Sequence, residues 1–174
     1  VLDTVLVTGF NGFIGSHLIP KLIQKYNVVG LSTSKNSQLK ISQIKTDITK
    51  IDKKILPSKI SKIIHLAAIS DVDFCQKNPL DASHINIHGT QKILELARKH
   101  DSQVVFMSTS HVFGSQKKNP IDEFCQKNPT SIYAATKLAG ESLCESYSNS
   151  YGLNIGVMRF FSVYGPKSPK HSVT

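Results

Sequence analysis

Thr8–Leu18, TGFNGFIGSHL, places Gly9, Gly12 and Gly15 three residues apart, after the apolar run TVLVT and before the helical period of FIGSHLIPKLIQKY (Phe13–Tyr26). Strand, glycine turn and helix in that order build a cradle for a phosphate group. Glycines let the backbone turn tightly and come close to a ligand, and the amides and positive dipole end of the following helix favour an anion. In this context the pattern predicts a dinucleotide's pyrophosphate on the turn, against the plainer reading of a corner that binds nothing.

The same alternation continues along the chain. NVVGLS (Asn27–Ser32), SQIKTDI (Ser42–Ile48), KIIHLAA (Lys62–Ala68), QVVFMSTS (Gln103–Ser110) and NIGVMRFFSVYG (Asn154–Gly165) read as further strands. Pro79–Lys99 and Tyr133–Tyr151 read as long helices, with Pro79 suited to a first turn. Short apolar runs alternating with helices predict an α/β protein with a Rossmann-type, doubly wound parallel sheet of strand order 3-2-1-4-5-6. The hexapeptide FCQKNP occurs twice, at Phe74–Pro79 and Phe124–Pro129, without matching flanks, and each copy reads as a loop feeding a helix.

Bulk properties narrow the function. A chain of 174 residues, 40% hydrophobic and 19% charged, suits one domain with a sizeable core. No apolar run approaches the roughly 18 residues of a membrane span, and no basic-then-apolar leader opens the sequence, so no membrane partner and a cytoplasmic location are expected. Cys75, Cys125 and Cys144 are odd in number, match no CxxC spacing and read as reduced thiols. The net charge of +9 comes almost wholly from lysine, with Arg98 and Arg159 the only arginines, which argues against a nucleic-acid partner read through base edges. The scattered lysines read as solvated faces.

Some side-chain patterns stay open on spacing alone. Tyr133 and Lys137 lie four apart on one helical face, which fits either a catalytic pair or a surface contact. Asp47, after the third strand, reads equally as an acceptor for an adenine amino group and as a loop carboxylate or helix cap. His84 and His88 share a face but lack a third ligand at a recognisable spacing, so no metal site is expected.

Seven motifs taken in order resolve part of this. The glycine loop, TDI, HLAA, NIHGT, STSHVFG, YAATK with Glu141 after it, and RFFSVYGP resemble the extended short-chain dehydrogenase/reductase family from about Val5 to Pro166. That family contains NAD(P)-dependent nucleotide-sugar epimerases, dehydratases and reductases. The resemblance implies Tyr133 as general acid/base, Lys137 as its electrostatic tuner and ribose ligand, and Thr109 as the hydroxyl facing the substrate oxygen. A free tyrosine titrates near 10, so a neighbouring ammonium is expected to lower its pKa. Strand alternation sends Ser108 and Ser110 to the opposite side from Thr109.

The resemblance further implies NAD or NADP held by Gly9, Gly12, Phe13, Ile14, Gly15, Ser32, Lys35, Asp47, Ile48, Leu66, Ala67, Ala68, Asn86, Tyr133, Lys137 and Phe161. Asn86 reads alternatively as a polar contact inside a helix, and Phe161 as core packing. Where many NAD-dependent relatives carry an aspartate after the second strand, this sequence has Ser32 with Lys35 nearby, which leaves NAD and NADP both open. Ser110 and His111 replace the Asp-Glu pair that family dehydratases carry after the threonine, which disfavours that chemistry.

A nucleotide-sugar epimerase is therefore expected. A 4-keto-reductase of the dTDP-4-dehydrorhamnose reductase type and a non-catalytic NAD(P)-binding sensor are the alternatives. The resemblance implies that residues 1–174 correspond to the cofactor domain with the catalytic residues, with the C-terminal substrate lobe into which family members continue expected to be missing or truncated. The resemblance also implies a homodimer through helices 79–99 and 132–151.

Overall fold

The computed structural model describes residues 2–116 and 119–168. Six strands form one sheet: β1 (Thr4–Thr8), β2 (Asn27–Ser32), β3 (Ser42–Lys45), β4 (Lys62–His65), β5 (Gln103–Thr109) and β6 (Ile155–Phe160). Their order is β3-β2-β1-β4-β5-β6 and every neighbouring pair is parallel, as the alternation predicts. The helices are α1 (Phe13–Leu22), α2 (Val72–Lys77), α3 (Pro79–Ser83), α4 (Gly89–His100) and α5 (Ile132–Tyr151).

Alternating side chains divide the core between the two sheet faces. On one face Leu6, Leu31, Ile63 and Phe106 pack with Ile93, Leu94 and Ala97 of α4 and Cys144 and Tyr147 of α5. On the other, Val5, Val7 and Val28 pack with Phe10 and with Ile19 of α1. Crossover connections covering both faces explain why these strands are continuous apolar runs.

Several expected elements end early or divide. α1 stops at Leu22 rather than Tyr26, and β3 stops at Lys45, after which Asp47 caps a 3₁₀ turn (Ile48–Lys50). β6 ends at Phe160 rather than Gly165, opposite Thr109 at the end of β5, so the chain beyond has no strand to pair with. The helix expected over 79–99 is continuous from Pro79 to His100 but divided in its winding, with a π turn at His84–His88 between α3 and α4. The Thr90 hydroxyl donates to the Asn86 carbonyl (2.6 Å), and Gly89 N–H reaches back to the His84 carbonyl. A side-chain bond to the i−4 carbonyl slightly destabilises a helix and often bends it.

The two FCQKNP copies adopt different structures, correcting the reading of both as loops. In the first, Asp71 caps α2 by accepting from Phe74 N–H (2.8 Å), and Phe74–Lys77 is helical. In the second, Asp122 accepts from Phe124 N–H two residues on (3.0 Å), an Asx-turn geometry, and the segment stays a loop. The spacing of the preceding aspartate accompanies the difference.

Candidate active site

The glycine turn sits at the C-terminal edge of β1. Gly9 has φ +65°, and a Cβ there would lie 2.8 Å from Ala67 N, so the turn and the segment after β4 touch through backbone. A Cβ on Gly15 would lie 2.4 Å from the Phe10 carbonyl. Gly12 is the N-cap of α1 and no side chain caps that helix, so the amides of its first turn, with Phe13 and Ile14, have the character of an anion-binding helix end.

Beside the turn, Ser32 ends β2 and donates to Asn11 Oδ1 (2.8 Å), while Asn11 Nδ2 donates to Ser34 Oγ (2.6 Å) and the Ser34 carbonyl (3.1 Å). Lys35 follows on an exposed loop. Asp47 accepts from Thr49 N–H and Thr49 Oγ1, both at 2.8 Å, so the helix-cap alternative describes its geometry. Ile48 is buried against Gly89 at the π turn.

Leu66, Ala67 and Ala68 line the exit of β4. Leu66 N–H donates to the Thr8 carbonyl and Ala67 N–H to Thr8 Oγ1, both at 3.2 Å. Asn86, 2% exposed, donates from Nδ2 to the Ile69 carbonyl (2.9 Å) and Thr136 Oγ1 (3.0 Å), and accepts from Ile69 N–H (2.8 Å). Both amide hydrogens are spent inside the protein, which is the geometry of a polar contact within the helix. Phe161, past β6, is 59% exposed and lines a surface hollow with Phe113, Ile121 and Arg159, which departs from core packing.

Tyr133 and Lys137 both come from the start of α5, which Ser131 caps by accepting from Ala134 N–H (3.2 Å). The Tyr133 hydroxyl neighbours the Thr109 hydroxyl closely enough for that group to act on its ionisation, and Thr109 Oγ1 accepts from His111 N–H (3.2 Å). Ser108 points the other way and donates to Glu141 Oε1 (2.5 Å), as alternation requires. The His111 ring meets the Tyr133 ring edge to face at 6.0 Å.

Burial raises the Tyr133 pKa above its ordinary value, with the Thr109 hydroxyl working against it. The net direction is opposite to the lowering that Lys137 alone was expected to produce. Lys137 is itself 4% exposed, its Nζ lies 4.2 Å from the centre of the Phe106 ring, and burial lowers its pKa to about 8.

Two residues that the motifs contain, Glu141 and His65, have buried partners that the motifs do not reveal. Glu141, 5% exposed, accepts from Arg159 Nε (2.9 Å) and Nη2 (2.8 Å), with Lys127 Nζ at 3.3 Å. Burial alone would raise this carboxyl, but hydrogen bonds from Arg159 and Ser108 outweigh it and hold the pKa below the usual value. The lone arginine inside the apolar VMRFF was the available signal. The other is His65, buried between Thr8 and Thr90; its sequence neighbours carry no sign of it.

Residues 5–174 match the model of the NAD dependent epimerase/dehydratase family. The chain belongs to that family. It is 39% identical to an uncharacterized UDP-glucose epimerase, YtcB, of Bacillus subtilis, over 94% of this chain and 57% of that protein. Among solved structures it is similar to UDP-N-acetylglucosamine 4-epimerase from Methanobrevibacter ruminantium in complex with UDP-N-acetylmuramic acid. The TM-score is 0.90 at 31% identity, covering 98% of this chain and 59% of that one. It is also similar to UDP-glucuronic acid 4-epimerase from Bacillus cereus in complex with UDP-glucuronic acid and NAD, with TM-score 0.85 and 33% identity over 94% of this chain and 58% of that one. The chain thus spans a little over half the length of these relatives. Among the described residues no helix is long and apolar enough to cross a membrane, and no group of three or more His, Cys, Asp or Glu side chains converges as a metal site.

Proposed function

We propose that this chain is the NAD-binding and catalytic portion of a nucleotide-sugar 4-epimerase, with Tyr133 as the proton carrier. The observation that carries the proposal is the convergence of Thr109, Tyr133 and a buried Lys137 at the C-terminal edge of the sheet, in the same unit as a glycine turn whose helix has no side-chain cap. The turn fits a dinucleotide: Gly9 admits the backbone approach to Ala67 and Gly15 the close helix packing, where a Cβ would collide.

Bound NAD would supply a hydride acceptor and donor for the sugar carbon. Within the chain, Tyr133 takes the proton of the sugar hydroxyl and returns it, and Thr109 orients the phenol and bonds the same oxygen as charge develops. Burial makes the Tyr133 phenolate costly, and Lys137, one helical turn on, supplies the positive charge that offsets this while binding the nicotinamide ribose. The UDP-sugar epimerases to which the chain is similar support the choice of epimerisation. The same reading takes a nucleotide diphosphate sugar as substrate and pairs two copies through α4 and α5.

Incubation of the complete protein with NAD and UDP-glucose, UDP-glucuronate or UDP-N-acetylglucosamine tests the reading. Interconversion of C4 epimers is expected. Dinucleotide binding without any response to sugar nucleotides would favour a sensor, and net oxidation of a reduced cofactor by a keto sugar would favour a reductase.

A further inference from the structure

A chain of buried hydrogen bonds runs from the glycine turn to the catalytic helix through one imidazole. Ala67 N–H donates to Thr8 Oγ1 (3.2 Å), Thr8 Oγ1 meets His65 Nδ1 (2.7 Å), and His65 Nε2 meets Thr90 Oγ1 (3.0 Å). Thr90 Oγ1 lies 2.6 Å from the Asn86 carbonyl, Asn86 Nδ2 donates to Thr136 Oγ1 (3.0 Å), and Thr136 Oγ1 donates to the Tyr133 carbonyl (2.8 Å).

The proton positions follow from donor arithmetic. A carbonyl cannot donate, so the single Thr90 hydroxyl proton goes to Asn86, and the Thr90 oxygen must accept from His65 Nε2–H. A neutral imidazole carries one N–H, so Nδ1 is an acceptor and takes the Thr8 hydroxyl proton. The Thr8 oxygen is then free to accept from Ala67. Every donor in the chain has an acceptor, with no choice left over. His65 is 2% exposed, and burial with the positive charge of Lys137 lowers its pKa to about 3, in keeping with a neutral ring.

We infer that His65, locked as the Nε2–H tautomer, is a positioning residue with two separable ends: through Thr8 it seats Ala67 against the glycine turn, and through Thr90 it fixes Asn86 and the start of α5 that carries Tyr133. With both ring nitrogens engaged by threonines and 2% of its surface exposed, it acts through its neighbours. This inference rests on the reading of Tyr133 as the proton carrier for its kinetic consequence, but not for the tautomer.

The test has two arms on the complete protein. Long-range ¹⁵N–¹H spectra of imidazole-labelled protein report the tautomer directly, without turnover, and Nε2–H is expected; an Nδ1–H signal for His65 overturns the inference even if the enzyme is active. In the kinetic arm, Thr90→Val strands His65 Nε2–H and is expected to lower kcat about 10- to 100-fold with the KM for NAD changed less than about threefold. Thr8→Val is expected to do the reverse, weakening NAD while sparing kcat. Thr90→Ser, which keeps the hydroxyl, restores kcat. Parallel loss of kcat and NAD affinity in both valine variants, or wild-type kinetics in Thr90→Val, would show His65 to be a core residue and nothing more. Absence of turnover in the wild type with Nε2–H present would count against the epimerase reading alone.

Discussion

The Lys137 ammonium lies 4.2 Å from the centre of the Phe106 ring, with the residue 4% exposed. A lysine in that position is held for its charge rather than for stability, since desolvation of the ammonium exceeds what one ring face returns. Lys137→Met should abolish turnover and raise folding stability by on the order of 2 kcal/mol at pH 7, read from urea midpoints. The lowered pKa means this group binds fewer protons in the folded state than in the unfolded one between about 8 and 10.5, so Lys137 by itself contributes a rise in stability with pH across that window. The methionine variant should lack that rise.

Tyr133→Phe removes the proton carrier and leaves the ring in place. Turnover should fall at least about 10²-fold, while NAD affinity by calorimetry stays within about threefold. Thr109→Val should give a smaller drop of the same kind, because the phenol loses its orienting partner but keeps its proton.

Glu141 gathers Ser108, Lys127 and Arg159 from three parts of the chain around one buried carboxylate. Glu141→Gln leaves the Arg159 guanidinium without its counter-charge and should cost about 3 kcal/mol in thermal or chemical unfolding. The carboxyl's folded pKa is depressed, so its contribution is complete above the ordinary value of 4.5 and is lost as pH falls below it. The glutamine variant should show a flatter acid limb.

His65 produces a separate pH signature. Its folded pKa is about 3 against 6.5 for the free ring, so the unfolded chain takes up a proton that the folded one refuses. Stability should fall by up to about 1.4 kcal/mol per pH unit below pH 6.5 on this account alone. A His65→Gln variant, which keeps an amide donor and acceptor without a titrating ring, should lack that component in pH-dependent denaturation.

The strand order followed from the alternation of short strands, most of them apolar runs bounded by a turn, with helices that were recognisable wherever a face was apolar over several turns. The glycine turn and the Tyr133–Lys137 spacing were likewise local patterns. What the linear sequence concealed was set by long-range partners. The π turn coincides with a Thr90 bond to Asn86 and with the close fit of Gly89 against Ile48. The two FCQKNP copies differ through what precedes them. The direction of the Tyr133 pKa reflects burial by residues distant in sequence, which spacing does not encode. His65 sits in HLAA, where its neighbours say strand and nothing indicates that both ring nitrogens find threonines from β1 and α4.

The most direct test of the central claim is an NMR time course of a UDP-sugar with the complete protein and NAD in deuterated water. The account predicts inversion at C4 with the original hydrogen retained on that carbon, since Tyr133 exchanges only the hydroxyl proton, and no inversion with Tyr133→Phe. Deuterium appearing at C4, or inversion that survives Tyr133→Phe, would contradict it.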